Sequence, residues 1–122
     1  MKYGIAAFAV LALASLVLVS VWATGHLGIG AAISDLLAQP AAGNNPWFVA
    51  TLFDTYFAFL WFWLWVAWRE ATVGSRLLWL LLILMGGNIA MATYVLLALW
   101  RLPPDATLLE AFVGRHAPPR RK

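Results

Sequence analysis

Three long apolar segments constrain this chain more than any other feature. A helix needs about 20 mostly apolar residues to cross about 30 Å of hydrocarbon. The first segment, about 4–23, contains no charge. The second, about 47–68, contains one, Asp54. The third, about 77–100, contains none, and its one strongly polar residue is Asn88. In a bilayer every backbone N–H and C=O must be satisfied within the protein, so such runs are helices. The pattern predicts an all-α integral membrane protein: three transmembrane helices with short interfacial helices, in one membrane domain over 1–122. Composition agrees: 11% of the residues are charged, against about 25% in a soluble domain. With no cysteine, disulfides, thiolate metal sites, iron–sulfur clusters and cysteine nucleophiles are excluded.

Lys2, the apolar run and Val21-Trp22-Ala23 have the outline of a secretory signal. The apolar part is longer than the usual ~7–15 residues of such signals, so a retained helix is expected. From Thr24 to Pro46 there is no Lys or Arg. Ile33, Leu36 and Leu37 fall there at helical spacing, with Ser34 and Asp35 turned away. That spacing predicts a short helix over about 31–38 on the bilayer surface. Asn45 before Pro46 is a start signal for the second span, with Asn as cap and Pro at the first helical position. The link from Arg69 to Arg76 is short, which makes the second and third segments antiparallel neighbours. Pro103-Pro104 stops the third. Asp105 is expected to cap a short amphipathic piece with Leu108, Leu109, Phe112 and Val113 on one face. Gly114 ends it, and 103–122 as a whole is an amphipathic, basic tail.

The net charge is +3, and five of the eight basic residues lie from Arg101 onward. Beside a membrane such a tail meets anionic lipid or sets topology, so no nucleic-acid partner is expected. Three spans place the termini on opposite sides. Lys2, Arg69 and Arg76 then share one side, and Arg101, Arg115, Arg120, Arg121 and Lys122 the other. The uncharged first loop and Lys2 favour a cytoplasmic N-terminus in a bacterial inner membrane, whereas the tail argues the reverse.

Asp54 lies about 10 Å along its helix from Trp47. A carboxylate there is unfavourable by about 2.5–3.5 kcal/mol at a span centre, so it should face the bundle or water. Thr51 and Thr55 lie close to it on the helix. With a straight third helix, Tyr94 comes to the depth of Asp54 and Tyr56, and Asn88 lies about 9 Å deeper. Asp54, Tyr56, Asn88 and Tyr94 are therefore the candidate binding cluster, between the second and third spans. Plainer roles compete with this one: a polar staple for Asp54, an interhelical hydrogen bond for Asn88. Gly86, Gly87, Ala90 and Ala92 provide a small-residue surface for close helix contact. Trp61, Trp65, Trp68 and Trp79 read as interfacial aromatic anchors, or else as a platform for a flat ligand. The only histidines, His26 and His116, lie outside the spans. Haem, zinc and di-iron sites have no ligand sets, and no nucleophile, phosphate-loop or zinc-protease motif occurs. No catalytic residue, cofactor or metal is expected.

The run Trp47-Phe48-Val49-Ala50-Thr51-Leu52-Phe53-Asp54-Thr55-Tyr56 resembles the W-x-x-A-T-L-x-D-x-Y signature of a small family of bacterial and plant multi-pass membrane proteins of unknown function. Trp68-Arg69-Glu70, Gly87-Asn88-Ile89-Ala90 and Tyr94 fit the same pattern, so the resemblance spans roughly Pro46 to Leu102. It implies a multi-pass fold, brings no activity, cofactor or catalytic residue, and draws attention to Asp54, Tyr56 and Glu70. The expected function is that of an accessory or scaffold component, packed in the lipid bilayer against a larger membrane complex or as a homo-oligomer. The alternative is a binding or transport module for a lipophilic or protonatable small molecule.

Overall fold

A computed structural model describes residues 2–39 and 46–118, without the side chains of Lys2 and Pro46. Asn45 and the terminal Arg120, Arg121 and Lys122 lie outside the described residues, so the Asn45 cap is not among the features that follow.

The first helix, α1, is Lys2–His26. No proline or charge interrupts it from Gly4 to Gly25, so nothing removes a ladder hydrogen bond or forces it toward water. After Gly28 comes α2, Ile29–Ala38, two residues longer at its start than the spacing of Ile33, Leu36 and Leu37 implies. Ile33 and Leu37 remain exposed. Helix α3 is Pro46–Arg69. Helices α1 and α3 are long and apolar enough to cross a membrane. In each, only 6% of the most apolar window is buried, whereas the core helix of a soluble protein would be largely covered.

The third apolar segment is not one helix. It divides into α4, Val73–Gly86, and α5, Asn88–Trp100. Gly87 joins them at φ 52° and ψ −130°, a conformation that residues with a Cβ rarely adopt. The chain turns back there. Trp79 on α4 meets Tyr94 on α5 edge-on, with ring centroids 4.8 Å apart, whereas a straight helix would separate these residues by about 22 Å. Phe59 of α3 fills the angle, and a Cβ on Gly87 would lie 2.9 Å from its ring tip. Gly86 and Gly87 thus make a turn where a continuous packing face was expected. Ala90 and Ala92 are buried as that expectation requires.

The turn at 70–72 closes α3 against α4. Thr72 caps α4, its hydroxyl accepting the Ser75 N–H at 3.2 Å. Val66, Ile83, Ala90 and Tyr94 form the buried core, with Phe59, Phe62, Trp63, Trp65, Trp79 and Met91 against it. Helix α1 packs along α5, with small residues such as Ala9 and Ala92 buried. The two run antiparallel: Ile5 shares a cleft with Val95 and Leu99, while Val21 and Thr24 share one with Ile89.

The last helix, α6, is Leu108–Val113. Its cap is Thr107, not Asp105. Thr107 and Glu110 form a reciprocal capping box, with the Thr107 N–H donating to Glu110 Oε2 at 2.7 Å. The Thr-x-x-Glu spacing satisfies two helix-end donors at once. Gly114, at φ 56°, ends the helix and opens a 3-10 turn, Gly114–His116. This unit docks on the end of α3: Trp65 stacks on Phe112 and Trp68 on His116, with centroids 5.7 and 4.4 Å apart.

Because α5 returns from Gly87, the start of α1, the end of α3, the start of α4, the end of α5 and α6 all lie at one end of the bundle. The described chain therefore begins and finishes on the same side, not on opposite sides as a straight third helix would require. Lys2, Arg69, Arg76, Arg101 and Arg115 all belong to that end. The stretch between α1 and α3 has no Lys or Arg.

Candidate functional site

A polar network lies where α3, α4 and α5 meet, and Glu70 ties it together. Tyr94 Oη donates to Glu70 Oε1 at 2.9 Å, and Ser75 Oγ donates to Oε2. Arg76 Nε donates to the Glu70 carbonyl at 3.0 Å, and Trp63 Nε1 donates to the Arg76 carbonyl at 2.9 Å. Both carboxylate oxygens are engaged, so Glu70 acts as a structural tie, not as an unengaged acid or base.

Beside it the Arg69 guanidinium lies 5.2 Å from the Trp65 ring centroid and 5.5 Å from that of Tyr94. Such positions favour a cation. Arg69 Nε and Nη1 are buried and have no hydrogen-bond partner among the described residues. Gly114 closes over the group so tightly that a Cβ would lie 2.7 Å from Nε. Arg69, Arg101, Arg115 and Glu110 line a cavity of about 330 Å³ here, together with Leu102 and Gly114. A second cleft of about 480 Å³ lies between α1, α3, α5 and α6, lined by apolar side chains that include Ile5, Trp65, Val95, Leu109 and Phe112. Both hollows touch Ala98.

The four cluster residues expected from sequence are not joined. Asp54 is exposed and has no hydrogen bond or ion pair among the described residues. Thr51 and Thr55 donate to carbonyls of their own helix, at 2.8 Å each. Tyr56 is 47% exposed and meets Phe59 edge-on. Asn88 lines a cleft between α1 and α5, near Ser15 and Phe62. Tyr94 bonds Glu70 at the far end of α3, because the turn at Gly87 carries it away from Asp54. Of the tryptophans, Trp65 and Trp79 pack against the core, Trp68 stacks on His116, and Trp61 is 72% exposed. Arg69, Ser75 and Arg76 have no recognisable spacing in the sequence. Of the network's residues, the sequence singles out Tyr94 and, within Trp68-Arg69-Glu70, Glu70.

The profile of a family described as "Protein of unknown function (DUF1475)" matches residues 5–116. The chain belongs to this family. The match takes in α1 and α6 as well as the Pro46–Leu102 region that carries the motif resemblance. No curated protein and no solved structure shows significant similarity to the chain.

Proposed function

We propose that this chain is a non-catalytic integral membrane protein that serves as a component of a larger membrane assembly. In this reading α1 and α3 span the bilayer. Helices α4 and α5, of 14 and 13 residues, form a re-entrant hairpin, because helices of that length do not reach across about 30 Å. The end carrying Lys2, Arg69, Arg76, Arg101 and Arg115 faces the cytoplasm of a bacterial cell, since basic residues concentrate on that side. Helix α2 lies on the opposite surface with Ile33 and Leu37 in the interface.

Asp54 carries the assembly reading. It sits about 12 Å along α3 from Pro46, exposed on a helix of the bilayer, where a polar group facing lipid is unfavourable. A neighbouring helix with a hydrogen-bond donor or cation at that depth would relieve it. A second copy does not supply the cation. Arg69 lies about 22 Å further along α3, at the end where every other described Lys or Arg side chain is gathered. A helix of a different membrane protein that brings a cation to that depth is the partner this reading favours.

The test is affinity purification in mild detergent with native mass spectrometry. The wild-type chain should retain a stoichiometric protein partner. Asp54→Leu should lose it at least tenfold with an unchanged unfolding transition, and Asp54→Asn should keep part of it. A wild-type chain recovered alone refutes the reading. The apolar cleft beside Trp65 favours a second reading, a binding module for a lipophilic molecule, which a lone chain carrying a defined small molecule would support.

A further inference from the structure

The geometry points to a phosphate-binding site formed by Arg69, Arg101 and Arg115, occupied by the headgroup of an anionic phospholipid. Three guanidinium groups line one cavity against one carboxylate, that of Glu110. The Glu110 Oε2 already accepts from the Thr107 N–H and hydroxyl, at 2.7 and 3.3 Å. Arg115 is held by long contacts, 3.4 Å from Nε and from Nη2 to the Trp68 carbonyl, and its Nη1 is not engaged there. The Arg101 side chain makes no hydrogen bond among the described residues, and the residue is exposed.

Arg69 provides the independent sign of a ligand. Its Nε and Nη1 are buried without an acceptor among the described residues. Donors buried unpaired are unfavourable, and native proteins rarely leave them so. The group is also fixed in place, against the rings of Trp65 and Tyr94 and under Gly114. A phosphate in the cavity that Arg69 lines supplies the counter-charge. Guanidinium groups recognise phosphate through several directed donors.

The apolar cleft argues for a lipid over free phosphate. It adjoins the arginine cavity at Ala98, so a headgroup among the arginines leaves an acyl chain room beside Trp65 and Val95. Basic pockets between helices on the cytoplasmic side hold anionic lipid headgroups in the same way. The choice of lipid rests on the membrane reading above; the phosphate chemistry does not.

The experiment adds phosphatidylglycerol, phosphatidylcholine or inorganic phosphate to the full chain in mild detergent and reads bound species by native mass spectrometry. Phosphatidylglycerol should be retained about tenfold over phosphatidylcholine. Arg101→Gln and Arg115→Gln should each lower its retention about tenfold, the loss expected for one charge-assisted hydrogen bond. Arg69→Gln should lower it further; because Arg69 packs in the core, the other two variants carry the test if that one does not fold. Lys2→Gln, at the same end, should leave retention unchanged. Equal retention of the two lipids, or a loss in Lys2→Gln equal to that in Arg101→Gln, overturns the site. Displacement of the lipid by inorganic phosphate overturns the lipid source. Carbonate extraction of cell membranes tests the membrane reading separately, so its failure is distinguishable from loss of the arginine site.

Discussion

Replacing Gly87 by Ala distinguishes a hairpin from a straight third helix by the sign of the change. In a straight helix Ala is favoured over Gly by about 0.8–1.0 kcal/mol, so the variant would be more stable. In the hairpin two penalties oppose it. Gly87 sits at φ 52° and ψ −130°, and a side chain held in so sparsely populated a region costs about 1–3 kcal/mol. The new Cβ would also lie 2.9 Å from Phe59 Cζ. Overpacking of that kind costs about 1–3 kcal/mol when rings or backbone must shift. Part of that is relieved as the ring tip moves, so the expected loss is about 2–4 kcal/mol. The assay is reversible unfolding in mixed micelles followed by tryptophan fluorescence. Adding Phe59→Leu should recover the steric part and leave the backbone part, which a double-mutant cycle separates. The cysteine-free chain allows a second readout. Spin labels on Leu78→Cys and Trp100→Cys, both exposed positions, should report a separation well short of the ~33 Å of a straight helix. A stabilised Gly87→Ala, or a label distance near that value, refutes the hairpin.

Two further outcomes follow from the same geometry. Tyr94→Phe deletes the donor to Glu70 while keeping the ring against Trp79, and should destabilise by about 0.6–2 kcal/mol in the same unfolding assay; an unchanged transition would mean that the tie does not hold α5. In intact bacterial cells, a membrane-impermeant maleimide should label Gly28→Cys but not Thr72→Cys, and labelling of Thr72→Cys alone would reverse the proposed orientation.

Much of the helical layout was legible in the sequence because helix formation is local. Long apolar runs mark α1 and α3, and the period of Ile33, Leu36 and Leu37 marks α2. Gly114 ends α6 where expected, although Thr107, with Glu110 three residues on, outcompetes Asp105 as its cap. The candidate site was much less legible. Its members come from the ends of α3, α5 and α6, and Arg69, Arg101 and Arg115 share no spacing. The depth argument that paired Tyr94 with Asp54 required a straight third helix.

What the sequence by itself determined is where helices form, which segments are apolar enough for a bilayer, and that no Lys or Arg lies between Thr24 and Pro46. Those properties depend on each residue and its near neighbours along the chain. What only the tertiary structure decided is the direction of the chain after Gly87. A glycine inside an apolar run is compatible with a continuous helix and with a reversal, and hydropathy is blind to the difference. Phe59 seated in the angle, Trp79 against Tyr94, and the Tyr94–Glu70 bond select the reversal through contacts between helices. That one choice brings both ends of the described chain to one side, gathers Lys2 and the four described arginines there, and exchanges Asp54 for Glu70 as the partner of Tyr94.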